Sequence, residues 1–266
     1  MLVTGSAFGL HDLAWVQSHA ADDRAVVVED ATERYACFGL FGPHAREILA
    51  CATRDDVSDR AFPYMSARRL TVGGASVLAL RVTYVGELGW ELYTPTADGL
   101  ALWDVLWAAG NPVGMVAAGY RAIDSLRLEK GYRYWSAEVT PEHTPFEAGL
   151  GFCVRLDKGD FVGRDALVKQ KAEGLTTRLV CLTLADPTVV ALGGEPILAE
   201  GRTIGRVTSG GYGYTVGASI AYGYVSVASA TPGTGLAIEL FGETVAAIVS
   251  REPLYDPRGQ KIRGGV

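Results

Sequence analysis

Hydrophobic positions along the chain fall in short runs broken by glycine and proline, and their spacing changes character past the middle. His11 to Ala20 sets Leu13 and Trp15-Val16 among polar residues, the pattern of a short amphipathic helix. Tyr35 to Leu40 is an apolar run of strand length. Gly42-Pro43-His44 then opens a helix through Leu49, with proline in the first turn, where a missing N–H is tolerated. Residues 69–80 alternate about Gly73-Gly74 and predict a hairpin. From Asp98 to Ala109, the residues Leu100, Leu102, Trp103, Leu106 and Trp107 form a helical stripe. Tyr120 to Gly131 predicts a further helix with Gly131 as its C-terminal cap. Such alternation of strands and helices is what a ferredoxin-like module shows. From about residue 176 short β-rich runs follow, at Arg178–Leu184, Gly205–Ser209, Ile220–Val225, Leu236–Leu240 and Glu243–Ile248. Gly and Pro turns separate them, as in a small antiparallel barrel or jelly-roll. The expected fold is α+β over 1–172, followed by a β-barrel domain over 173–266.

Composition narrows the function classes. With 48% hydrophobic and 20% charged residues, the chain is a core-forming globular protein. A net charge of −6 argues against a nucleic-acid partner held by bulk charge, and leaves room for a local basic pocket. Apolar runs are too short for a bilayer, and no basic stretch precedes an apolar one at the N-terminus, so no membrane association and a cytoplasmic location are expected. Cys37, Cys51, Cys153 and Cys181 lie in apolar stretches without C-x-x-C spacing, and read as reduced core thiols. The four histidines are scattered, so no metal site is expected. No G-x-G-x-x-G joins a strand to a helix, so the chain lacks its own flavin or nicotinamide fingerprint. The glycine-rich run Ser209 to Gly217 is not followed by an amphipathic helix. It reads as a β-turn packed against another domain rather than a phosphate loop.

The chemistry concentrates in a few segments. Arg81-Val82-Thr83-Tyr84-Val85-Gly86-Glu87-Leu88-Gly89-Trp90-Glu91-Leu92-Tyr93 predicts strand, glycine turn and strand. Glu87 at that turn is either solvated or aimed at a ligand with several N–H donors, where a charge-assisted bond is strong. In the helix after Gly119, Arg121, Asp124 and Ser125 share a face, an arrangement that an intrahelical Arg–Asp pair also explains. His143, between Pro141 and Pro145, is the best-placed imidazole for chemistry, although such loop histidines more often serve the turn.

These segments resemble the folate-binding T-protein (aminomethyltransferase) family. The run "TYVGELGWELY" is similar to its Tyr-x-Gly-Glu-x-Gly-x-Glu signature, and the wording is nearest the folate domains of dimethylglycine and sarcosine dehydrogenases. "YRAIDSLRLEKGYR" resembles the family's arginine-bearing helix, "TPFEAGL" its loop before the barrel, "TSGGYGYTVGASIAYGYV" its barrel segment and "PLYDP" its closing segment. A related branch tied to iron–sulfur repair has a cysteine where Asp160 stands, which separates this chain from that branch. The match begins inside the family's folate domain, after the aspartate thought to act on substrate. An N-terminally truncated domain is therefore expected, with the catalytic residue unassigned; Asp12 and Asp30 stand outside the matching motif.

The resemblance implies tetrahydrofolate as cofactor. Glu87 would hold the pteridine N–H groups, Tyr84 would line the pocket, Arg121 would contact the ligand's polar part, and Glu147 would stand near the cleft. It implies folate-dependent one-carbon transfer from a small amine-derived donor. The chain would serve as the folate module of a dimethylglycine- or sarcosine-dehydrogenase-type system partnered by a flavin domain. Alternatives are a free-standing aminomethyltransferase served by a lipoylated carrier protein, and a non-catalytic folate-binding or structural fragment.

Overall fold

The structure is a computed structural model that describes residues 1–20 and 26–264. It divides into two compact units, Met1–Val82 with Leu88–Val116, and Thr83–Glu87 with Ala117–Val266.

The first unit contains α1 (Gly9–His19), β1 (Tyr35–Phe41), α2 (Ala45–Ala52), β2 (Ala67–Val72), β3 (Ala75–Leu80), β4 (Gly89–Pro95) and α3 (Gly99–Gly110). Its four strands form one antiparallel sheet in the order β1-β4-β3-β2. β1-α2-β2 follows the alternation read from the sequence, but β2, β3 and β4 then follow one another before α3, so its second half is not seen. The residues after Leu80 bend instead of extending, and only the second half of the signature run, from Gly89, is a strand. Gly89 needs to be glycine: a Cβ there would lie 2.3 Å from the Leu40 carbonyl oxygen. Trp90, Leu92, Leu70, Val72 and Val77 bury against Ile48, Leu49, Leu102 and Leu106. The expected α3 stripe is only half used. Leu102 and Leu106, 40° apart on the wheel, reach the core, whereas Leu100 is 74% exposed and Trp103 also faces solvent, because 100° per residue turns them off the sheet.

The second unit contains α4 (Tyr120–Lys130), α5 (Arg164–Glu173), β5 (Thr177–Leu184), β6 (Pro196–Ala199), β7 (Arg202–Gly213), β8 (Ala218–Ser226), β9 (Gly235–Leu240) and β10 (Glu243–Ser250). The six strands close into an antiparallel barrel, β10-β5-β8-β7-β6-β9, filled by Leu182, Ile197, Val207, Ala221, Val225 and Ile238. Closure leaves the strands no free edge. β7 runs farther than predicted and absorbs Gly210 to Gly213, which pair with Ala218 to Ala221. These glycines serve close packing inside the strand rather than a turn: a Cβ on Gly210 would stand 2.3 Å from the Ala191 carbonyl oxygen, and one on Gly211 2.9 Å from Leu128 Cδ1. α4 lies on the outside of the barrel, where Leu128 packs with Leu179, Ile220, Tyr222 and Tyr224. Of the cysteines read as core thiols, only Cys181 is buried. Cys37 on β1, Cys51 on α2 and Cys153 on a short helical turn are exposed, since strands and helices alike turn some positions of an apolar run to the outer face. Among the described residues no helix is long and apolar enough to cross a membrane, and no group of His, Cys, Asp and Glu is placed to hold a metal ion.

Candidate functional site

Tyr84 to Glu87, the last turn of α4 and the C-terminal segment after β10 all belong to the second unit, and their polar groups converge. Gly86 has φ +78°, which only glycine adopts without strain, and this turn carries Glu87. The Glu87 carboxylate accepts a hydrogen bond from the Tyr255 phenol through Oε1, and Oε2 has no partner among the described residues. Burial, together with that bond to Glu87, holds the Tyr255 phenol above its ordinary range. The Tyr84 hydroxyl donates to the Arg133 carbonyl at 2.7 Å, and its ring stacks on Tyr132 with centroids 5.9 Å apart and planes 11° from parallel. Burial pushes the Tyr84 phenol up to about 12.

Behind this pair lies a buried charge network without a signal in the sequence. Arg127 donates to Asp124 at 2.7 Å and to Glu138 at 2.9 Å. Glu138 is fully buried and also accepts from the Tyr134 amide at 2.7 Å, from Thr208 Oγ1 at 3.0 Å and from Ser209 Oγ. Burial alone would depress the Arg127 guanidinium, but Glu138 and Asp124 outweigh it and raise its pKa. A buried ion pair is tolerated only when its remaining lone pairs are satisfied, and here the β7 hydroxyls do so. Arg133 adds a bidentate contact to Glu252, at 2.9 and 2.6 Å.

The residues named from the sequence separate into two groups. Tyr84 and Glu87 stand at the convergence. Arg121 is exposed on the first turn of α4 and makes no ion pair among the described residues; the helix's Arg–Asp pair belongs to Arg127 instead, three residues after Asp124. Glu147 is engaged on both oxygens. Oε2 accepts the Thr144 amide at 2.8 Å while the Glu147 amide donates to Thr144 Oγ1 at 3.3 Å, and Oε1 accepts from Thr177 Oγ1 at 3.1 Å. This reciprocal Thr-x-x-Glu bonding is a capping box around one turn. Burial would raise the Glu147 carboxyl, but these hydrogen bonds leave it lowered. His143 stacks on Tyr224 with ring centroids 3.6 Å apart, and its amide donates to the Thr140 carbonyl at 3.2 Å. Sequence reading missed Tyr255, Lys130, Arg127 and Glu138. The "LRLEK" and "PLYDP" segments mark where Arg127, Lys130 and Tyr255 sit, but Glu138 lies in neither, and nothing local marks their partners.

Comparison with known proteins adds an independent line. The family model described as the GCVT N-terminal domain matches residues 1–158, and that of the glycine cleavage T-protein C-terminal barrel domain matches residues 177–256. Human mitochondrial dimethylglycine dehydrogenase is 40% identical over 256 residues, which is 96% of this chain and 30% of that protein. An aminomethyltransferase from Symbiobacterium thermophilum is 36% identical over 260 residues, 96% of this chain and 68% of that one. The crystal structure of the glycine cleavage system aminomethyltransferase T from Bartonella henselae superposes with a TM-score of 0.84 at 27% identity, over 95% of this chain and 68% of that one. The chain thus spans about 30% of the length of the dehydrogenases it matches.

Proposed function

This chain belongs to the glycine cleavage T-protein family, and from that membership we propose that it binds a reduced folate at Glu87 and Tyr84 and serves one-carbon transfer as the folate module of a dimethylglycine- or sarcosine-dehydrogenase-type enzyme. The observation that carries this reading is the Glu87 carboxylate, set on a glycine turn with one oxygen on Tyr255 and the other without a partner among the described residues. An aminopyrimidine edge presents adjacent N–H donors, and a half-satisfied carboxylate is the acceptor that suits them. This acceptor therefore fits tetrahydrofolate. The stacked Tyr84–Tyr132 pair supplies a flat aromatic surface for a ring. Arg121, exposed and without an ion pair among the described residues, suits the ligand's polar end, while Glu147 contributes by holding its own turn. When bound, the folate supplies the nitrogen nucleophile that accepts the one-carbon unit. The chain's residues bind and orient it.

Titration calorimetry of the purified chain with tetrahydrofolate tests the reading. Micromolar binding is expected, weakened in Glu87→Gln by about 1–3 kcal/mol, the cost of losing one charge-assisted bond. A folded chain that does not bind would sink the proposal. The second reading, an aminomethyltransferase acting on a carrier-bound group, is favoured by the larger share of that relative which the chain covers. Ammonia released from an aminomethyl group on a lipoylated carrier would support it over the dehydrogenase module.

A further inference from the structure

Lys130 is 6% exposed at the last position of α4, and its ammonium is directed entirely at the C-terminal segment. Nζ donates to the Asp256 carbonyl at 2.7 Å, the Asp256 carboxylate at 2.9 Å and the Tyr255 carbonyl at 3.4 Å. Asp256 has φ +43°, a left-handed conformation that a non-glycine residue holds only when its surroundings enforce it. Its carboxylate also accepts the Gln260 and Lys261 amides at 2.9 and 3.1 Å. The stem of the same lysine lies against the signature turn: a Cβ on Gly86 would come 2.8 Å from Lys130 Cδ. Gly86 directly precedes Glu87, and Asp256 directly follows Tyr255. Lys130 therefore touches both chain segments that carry the Glu87–Tyr255 pair, at the residue beside each partner.

We propose that Lys130 is a positioning residue, whose head group seats Tyr255 on Glu87 while its stem shapes the Gly86 turn. For its consequence on ligand affinity, this rests on the folate reading above. The Glu129 carbonyl, which accepts the Leu254 and Tyr255 amides at 3.1 and 2.9 Å, fixes the backbone of the segment but not the direction of the phenol. Lys130 sets that direction through Asp256.

The test uses the full chain with 3-fluorotyrosine at position 255, followed by fluorine NMR without ligand. Lys130→Met keeps the stem and removes the head. It is expected to move the Tyr255 resonance toward its position in Glu87→Gln, and to weaken tetrahydrofolate binding about tenfold, as for one lost charge-assisted bond. Val249→Ala, a cavity inside the barrel, controls for lost stability and is expected to move neither readout. A folded Lys130→Met whose resonance stays in place overturns the proposal, as does a moved resonance with unchanged affinity in a chain that binds folate. Should Lys130→Met not fold, Asp256→Asn removes the carboxylate contact and is judged by the same readouts. Wild-type chain that fails to bind folate removes the folate reading alone, and the resonance then decides the role of Lys130 in either direction.

Discussion

Glu138 accepts four hydrogen bonds with no exposure to solvent, from Arg127, the Tyr134 amide, Thr208 and Ser209. Removing one member of a buried pair leaves the other charge uncompensated, so Glu138→Ala should cost about 3–5 kcal/mol, read from urea unfolding midpoints. A change below about 1 kcal/mol would mean that the pair behaves like a surface bridge. Asp124, 48% exposed on its side chain, shares the same arginine. Asp124→Asn should cost far less, at most about 1 kcal/mol in the same assay. Tyr84→Phe removes only the bond to the Arg133 carbonyl and should lower stability by about 0.5–1.5 kcal/mol. At this scale the sequence was partly legible. Glu87 stood out because two glycines flank it, and the structure supplies a steric reason for each: the Lys130 stem beside Gly86 and the Leu40 carbonyl beside Gly89. Arg127 and Glu138 did not, because their pairing crosses a turn that no periodicity encodes.

Among the elements, α4 was read most completely, since its helical period and closing glycine are both local properties. Gly131 caps it at φ +73°, and its amide donates to the Leu128 carbonyl at 3.2 Å. Gly131→Ala should lower stability by about 1–2 kcal/mol, the cost of a left-handed conformation at a non-glycine residue. A Cβ there also sits 3.3 Å from both Glu252 Oε2 and Tyr222 Oη. Thermal melting checks this, and an unchanged melting temperature would mean that the cap relaxes into another turn. The glycine-rich β7 was read too short, because glycine marks turns locally, and only the crossing of another backbone reveals that it is needed inside a strand.

For the whole molecule, acid and alkali should both destabilise the fold. Burial would raise the Asp256 carboxyl, but the Lys130 hydrogen bond and the Gln260 amide leave it lowered, and the Glu147 carboxyl is lowered likewise. Between the folded and unfolded values of such carboxyls, the unfolded chain binds more protons. Their stabilisation is therefore complete above about pH 4 to 5 and is lost as pH falls further. At the other end, the Tyr84 phenol is pushed up to about 12 by burial. Its stabilisation is present below the unfolded value near pH 10 and fades as pH rises toward about 12. Urea midpoints at pH 3.5, 7 and 11 should pass through a maximum at the middle value, and a flat profile would contradict this assignment.

By itself the sequence determined the class of the fold, the helix over Tyr120 to Gly131, five of the six barrel strands and the turn that carries Glu87. Each of these depends on residues within one period or one turn of each other. Only the tertiary structure decided the order in which the barrel strands pair, that three of four cysteines are exposed, and that Glu87 meets Tyr255 across 168 residues. The reason is the range of the interactions involved. Propensity, capping and glycine conformation act on neighbours in the chain, whereas partner choice among buried polar groups is settled by packing between distant segments.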